Sequence, residues 1–180
     1  MFRLETARLV IRDMTLEDED AFVAISQDSK YQRFYDEQDC HPEKYRELTR
    51  LFIEQAKEHP RTSFQLAIEH KEDQCFIGTV CLRLEGEQQA SIGCGMSRAY
   101  QADGLILEAA SALVEYGFNH LEIHRIYAET ISRNRPAIKL CRSLGMVQEA
   151  HLRHNRYFKN QWWDTVVLAV LADDWLARKM

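Results

Sequence analysis

Gly104 is the point in this chain where anion chemistry is easiest to build. It lies between Gln101-Ala102-Asp103 and the apolar run Leu105-Ile106-Leu107. A glycine-bearing loop that runs into a helix N-terminus brings several backbone N–H donors together, which is what a phosphate needs. The same spacing also suits a plain turn. Further along, Asn134-Arg135-Pro136 has the form of a helix start, with asparagine at the cap and proline in the first turn. Arg133, Arg135, Lys139 and Arg142 cluster there. Together they would welcome a nucleotide phosphate; singly, each reads as a solvated surface charge. Between Gln27 and Cys40, the aromatic residues Tyr31, Phe34 and Tyr35 mix with Asp36, Glu37 and Asp39. That mixture suits a cationic amine by charge and by cation–π contact. Metal chemistry finds no comparable pattern: H-E-x-x-H and C-x-x-C spacings are absent from the sequence, so no zinc is expected.

These residues need elements to hold them. Leu9-Val10-Ile11 reads as a short strand after the stub Arg3–Thr6. Thr15 through Asp18 has the form of a capping box that opens a helix with Ala21, Phe22 and Ile25 on its apolar face. Tyr45, Leu48, Leu51, Phe52 and Ala56 recur at helical steps between Pro42 and His59. The period then changes to alternation, and strands are expected near 63–70, 75–84 and 89–97 with turns at Asp73-Gln74 and Gly86-Glu87. A long helix starts at Gly104, with Ile106, Ala109, Ala110, Leu113, Gly117 and Leu121 on one face. A strand at 125–130 precedes a short helix at 136–144, which Gly145 ends. Strands near 146–158 and 162–171 complete the order, the last apolar on both faces and so central. The pattern predicts a mixed, mainly antiparallel sheet with helices on both sides, in one domain spanning 1–180.

Composition narrows the function classes. The chain has 180 residues, 46% hydrophobic and 28% charged, with a net charge of −5. That profile fits one globular domain and argues against disorder. Residues 1–60 carry 14 acidic and 9 basic side chains, whereas residues 121–180 carry 6 and 10. An acidic chain is a poor nucleic-acid binder, yet its basic last third can hold a small polyanion. The odd set of five cysteines (Cys40, Cys75, Cys81, Cys94, Cys141) and the lack of a signal segment or a long apolar run predict a cytoplasmic protein with reduced thiols and no membrane partner.

The order of elements, together with particular residues, resembles the GNAT family of acyl-CoA-dependent N-acyltransferases. It is most similar to the Rim-type branch, which acetylates ribosomal-protein N-termini. The likeness is carried by Leu4-Glu5-Thr6-Ala7-Arg8-Leu9-Val10-Ile11-Arg12, Ile77-Gly78, Ile92-Gly93 and the stretch from Tyr100 to Ala109. Asn134-Arg135-Pro136-Ala137, Leu144-Gly145-Met146 and Asp164 extend it over nearly the whole chain. It implies an α+β GNAT fold, with a seven-stranded, mainly antiparallel sheet flanked by about four helices.

The resemblance also implies acetyl-CoA as co-substrate and acetyl transfer to a primary amine, either a protein N-terminus or a small molecule. The implied cofactor-binding residues are Met96, Ser97, Gln101, Gly104, Leu105, Ile106, Asn134 and Lys139. Ile106 stands where the family has Gly or Ala, and Asp103 adds a negative charge beside the expected diphosphate. Gly93 and Gly95 allow close approach of a ligand or of another backbone, or simply mark a weak edge strand. Cys141 takes the place of a proton-donating tyrosine and is the implied catalytic residue; a buried thiol is its alternative role.

Ala137, Arg156 and Ser91 replace the serine, glutamate and acidic residue of the branch, leaving Glu149, His154 and Tyr157 as further proton carriers. The acceptor is expected between the Gln27–Cys40 segment and the loop at Arg156–Trp162, with Trp162 and Trp163 beside it. A monomer or homodimer fits equally. The competing reading is a GNAT-fold protein that binds a CoA ester or a partner with little catalysis.

Overall fold

A computed structural model describes residues 1–178. Eight strands form one sheet in the order β1-β2-β3-β4-β5-β6-β8-β7. They are β1 Arg3–Glu5, β2 Leu9–Asp13, β3 Ser63–His70, β4 Cys75–Glu85, β5 Gln89–Met96, β6 Arg125–Ile131, β7 Val147–Phe158 and β8 Gln161–Leu171. The helices are α1 Glu19–Ser26, α2 Pro42–Gln55, α3 Leu105–His120, α4 Arg135–Ser143 and α5 Ala172–Ala177. The α+β class and the mainly antiparallel sheet stand, but the described residues form eight strands rather than seven and five helices where about four were expected. The extra strand is the stub Arg3–Glu5, which pairs antiparallel with β2 at Arg3↔Arg12. The extra helix is α5, whose first turn carries Asp173 and Asp174 and whose Trp175 is buried in the main core.

Alternation along β3 divides the molecule into two layers. Phe64, Leu66 and Ile68 join the main core, where Leu105, Ala109, Ala110, Leu113 and Val114 of α3, Cys141 of α4 and Leu144 just after it pack. Ala67, between them in sequence, faces the other way, toward Met14, Phe22 of α1 and Tyr45 of α2. Helices therefore cover both faces, as the pattern of apolar residues requires. The α2 helix stops at Gln55, short of His59. Strand β8 is interior, paired with β6 on one side and β7 on the other. The capping box at Thr15 opens a 3-10 turn, Leu16–Asp18, that leads into α1.

The sheet is interrupted at one place. Strands β5 and β6 run parallel but pair only at Gln89↔Arg125, Ala90↔Ile126 and Ser91↔Tyr127. Beyond Ser91, β5 stays with β4 as far as Met96, and β6 stays with β8 as far as Ile131. The two strands diverge, and the edges Ile92–Met96 and Ala128–Ile131 face a gap that no ladder bridges. Backbone amides along such a gap favour a partner that can hydrogen-bond like a strand.

Candidate active site

A 3-10 turn, Arg98–Asp103, leads out of β5 to Gly104, which has φ +72° and ψ +11° and precedes α3. The first helical bond runs from Glu108 N–H to the Gly104 carbonyl, and no side chain caps this end. The N–H groups of Leu105, Ile106 and Leu107 therefore point out of the first turn without an intrahelical acceptor. A helix end of this kind, with its positive dipole end exposed, suits an anion. Leu105 buries its side chain in the core, at 2% exposure, and Ile106 lies half-buried against the same cluster. Both anchor the helix start from the side-chain side. The Gln101 amide donates to the Met96 carbonyl at 3.0 Å, and the Ser97 N–H donates to the Ile77 carbonyl at 2.7 Å. The expected residues Met96, Ser97 and Gln101 line one cavity of about 320 Å³, together with Ala24, Asp28 and Tyr31.

Asn134 caps α4: its Oδ1 accepts the Ala137 N–H at 3.3 Å, and Pro136 sits in the first turn. Gly145, with φ +80°, follows the helix end as expected. Lys139 is exposed and lines a shallow groove of about 580 Å³ with Arg135, Ile138 and Arg142. This groove carries three cations on one helix face, the charge a nucleotide phosphate would meet.

Cys141 is 6% exposed and part of the main core. Burial pushes its thiol up to about 11. Cys94 on β5 is pushed up to about 12, first by burial and then by the nearby thiols of Cys81 and Cys141. Tyr35, raised mainly by burial, also feels Tyr31 and Cys94. These two thiols and this phenol near the divergence of β5 and β6 are thus held neutral at ordinary pH. Tyr31 packs on the bare face of Gly95, where an added Cβ would stand 2.9 Å from its ring. Its hydroxyl accepts from Tyr45 at 3.1 Å, and its ring stacks on Tyr35 at 5.4 Å. The close approach expected at Gly95 is therefore made by a side chain of the protein itself.

The other proton carriers lie elsewhere. Glu149, His154 and Tyr157 belong to β7, an exposed edge strand two strands beyond β6. Glu149 pairs with Arg125, and His154 stacks on Trp162. Asp164 accepts the His154 N–H at 2.8 Å and lies 2.7 Å from His151 Nε2, so it organises a bulge in this hairpin. Both bonds hold its carboxyl below the usual range.

The two segments expected to admit the acceptor touch each other. Phe34 packs on Trp163 at 6.0 Å, and Lys159 donates to the Gln32 carbonyl at 2.7 Å. Trp163 is a core residue whose Nε1–H bonds the Phe158 carbonyl, whereas Trp162 is 55% exposed. Asp28 accepts the Lys30 and Tyr31 N–H groups, Asp36 caps a short turn and Asp39 pairs with Lys44, so three of the four acids between Gln27 and Cys40 are already engaged. Sequence reasoning missed Asp28 and the stacking of Tyr31 on Gly95. Glycine at position 95 was the available signal.

Among the described residues, no group of three or more His, Cys, Asp or Glu is placed to hold a metal, and no helix is long and apolar enough to cross a membrane. The chain is 28% identical over 178 residues to the uncharacterized N-acetyltransferase YnaD of Bacillus subtilis, covering 96% of this chain and 98% of that one. It is 25% identical over 181 residues to the ribosomal protein uS5-alanine N-acetyltransferase of Escherichia coli, covering 96% and 92%. A GNAT-family acetyltransferase of Bacillus anthracis superposes with a TM-score of 0.82 at 24% identity, over 96% of this chain and 99% of its own. Residues 8–147 match the acetyltransferase (GNAT) domain, and the diverging strands, the open α3 start and these likenesses together make this chain a member of the GNAT acetyltransferase family, with acetyl-CoA as co-substrate.

Proposed function

We propose that this enzyme acetylates the α-amine of a polypeptide N-terminus, with acetyl-CoA bound along the divergence of β5 and β6. The observation that carries the choice of acceptor is the neutrality of Cys94, Cys141 and Tyr35 beside that divergence. Neutral thiols and a neutral phenol offer no thiolate or phenolate to take the ammonium proton, so an amine that arrives largely unprotonated is favoured. An α-amine titrates near 8, while an alkylamine such as lysine titrates near 10.4. At pH 7.5 about a quarter of the first is free base, against roughly a thousandth of the second.

The thioester supplies the acyl group. The amine nitrogen bonds the carbonyl carbon, the C–S bond breaks, the ammonium proton leaves to water and the departing thiolate takes a proton. Placement of the two reactants supplies most of the acceleration. In this reading Met96, Ser97 and Asn134 hold the pantetheine arm; Gln101, Gly104, Leu105 and Ile106 hold the diphosphate; Lys139 meets a nucleotide phosphate. Cys141 is the proton donor. Its thiol, at about 11, is fully protonated at neutral pH. Transfer to an ordinary thiolate near 8.5 is uphill by about 3 kcal/mol, so its contribution is small. Cys141→Ala is expected to lower kcat by less than tenfold with both KM values unchanged; single-turnover rates check this. The form carried by this reading is a cytoplasmic enzyme of one domain, monomeric or homodimeric.

The test is competition between acceptors, with product measured by mass spectrometry at pH 7.5. Peptides with free Ala or Ser N-termini are expected to react at least tenfold faster than spermidine or butylamine. The peptide rate should rise with pH and level off above about 8, as the amine loses its proton. Faster turnover of the alkylamines would contradict the assignment.

A further inference from the structure

We propose that Arg8 and Glu108 are positioning residues for acetyl-CoA, forming a clamp that holds the Gly104 loop in its anion-binding shape. This rests on the reading of that loop as the diphosphate site and names what keeps it formed. Residues Gln101 through Gly104 are all exposed and gain little from packing. Their geometry must come from tethers. Glu108, in the first turn of α3, accepts three bonds at one carboxylate. Thr6 Oγ1 donates to Oε1 at 2.6 Å, the Arg8 backbone N–H donates to Oε1 at 2.9 Å, and Arg8 Nε donates to Oε2 at 2.7 Å.

The same guanidinium then reaches the loop itself, with Nη1 donating to the Asp103 carbonyl at 2.9 Å. One side chain thus joins the turn between β1 and β2, the residue before Gly104 and the first turn of α3. A planar fork presents these bonds from separate nitrogens in a fixed geometry, whereas an ammonium must make them from a single atom on a flexible stem. The arrangement also sets a cation beside Asp103, the residue whose charge opposes a diphosphate. At the other end of the loop, Tyr100 donates to Asp73 Oδ2 at 2.7 Å, which ties the 3-10 turn to the turn between β3 and β4.

Acetyl-CoA binding and steady-state kinetics on full-length Arg8→Ala, Arg8→Lys, Glu108→Ala, Glu108→Gln and the double alanine variant test the clamp. Each alanine variant should raise Kd and KM for acetyl-CoA by five- to twentyfold. kcat at saturation and KM for the amine should stay within twofold. The double variant should be little worse than either single one, because the two residues act as a unit. Glu108→Gln keeps an acceptor for Thr6 and the Arg8 N–H but turns an amide NH2 toward Arg8 Nε–H, so it should recover only part of the affinity; Arg8→Lys should recover less.

Hydrogen exchange of the free protein gives an independent readout. In Arg8→Ala, the amides of the 3-10 turn at 101–103 and of Glu108 should exchange at least tenfold faster, while those near Leu113 keep their protection. Lower melting temperatures with unchanged acetyl-CoA KM and unchanged exchange at 101–103 and 108 would overturn the clamp. Wild-type protein that fails to bind acetyl-CoA would instead overturn the diphosphate reading, and the positioning role with it.

Discussion

Gly104→Val is expected to weaken acetyl-CoA binding by ten- to a hundredfold while leaving the fold intact. An added Cβ at Gly104 would meet nothing within 4 Å, so crowding plays no part. The cost lies in the backbone, because φ +72° is a left-handed conformation that a β-branched residue adopts only under strain. Such strain amounts to about 1–3 kcal/mol. The exposed loop can escape it by moving φ to a negative value, which turns the N–H groups of the α3 start away from their common focus. The strain is then felt as lost affinity, at about 1.4 kcal/mol per tenfold. Calorimetric titration of the variant with acetyl-CoA measures it, and Gly104→Ala should fall between variant and wild type. An unchanged Kd in Gly104→Val would mean that the loop does not hold the diphosphate.

Gly78→Ala is expected to act on the same site by the opposite physics, through space rather than through φ. Its added Cβ would stand 2.3 Å from the Gly95 carbonyl oxygen and 2.9 Å from the Met96 Cα. Both are backbone atoms of the paired strand, where Gly78 lies opposite Met96. A flexible side chain could swing aside; a strand cannot. The end of β5 must separate from β4, which removes the bond from Ser97 N–H to the Ile77 carbonyl and shifts Met96 and Ser97. Overpacking of an interior usually costs about 1–3 kcal/mol and sometimes more. Contact with backbone puts this case at the upper end, near 3 kcal/mol. Urea unfolding should show a lower midpoint with an unchanged slope. A loss below about 0.5 kcal/mol would show that β4 and β5 have slack at this point.

Most of the elements were legible because burial imposes a period. The alternation in β3 and the three- and four-residue steps of α3 follow from which side chains must leave water. Strand β1 was not legible, since three residues are too few to show a period and its partner is fixed by the turn at Thr6. Helix α5 escaped notice because only Trp175 marks its buried side. In the site, Gly104 and Asn134 announced themselves by residue type. The divergence of β5 and β6 follows from the family resemblance and not from the residue pattern, because Ile92–Met96 looks like any strand and the lost pairing is a relation between segments. The clamp was equally hidden: Arg8 and Glu108 are 100 residues apart, and each alone reads as a surface charge. Cys141 was legible as a thiol on α4, whereas the depth of its burial depends on how α4 packs on the sheet.

Isothermal titration of the purified protein with acetyl-CoA near pH 7.5, with dephospho-CoA as a second titrant, tests the central claim most directly. The account predicts one site per chain with micromolar affinity. It also predicts weaker binding of dephospho-CoA, which lacks the phosphate that Lys139 and its neighbours would meet. Absence of heat with millimolar acetyl-CoA would contradict it, leaving the open start of α3 and the diverging strands without the ligand they are read to hold.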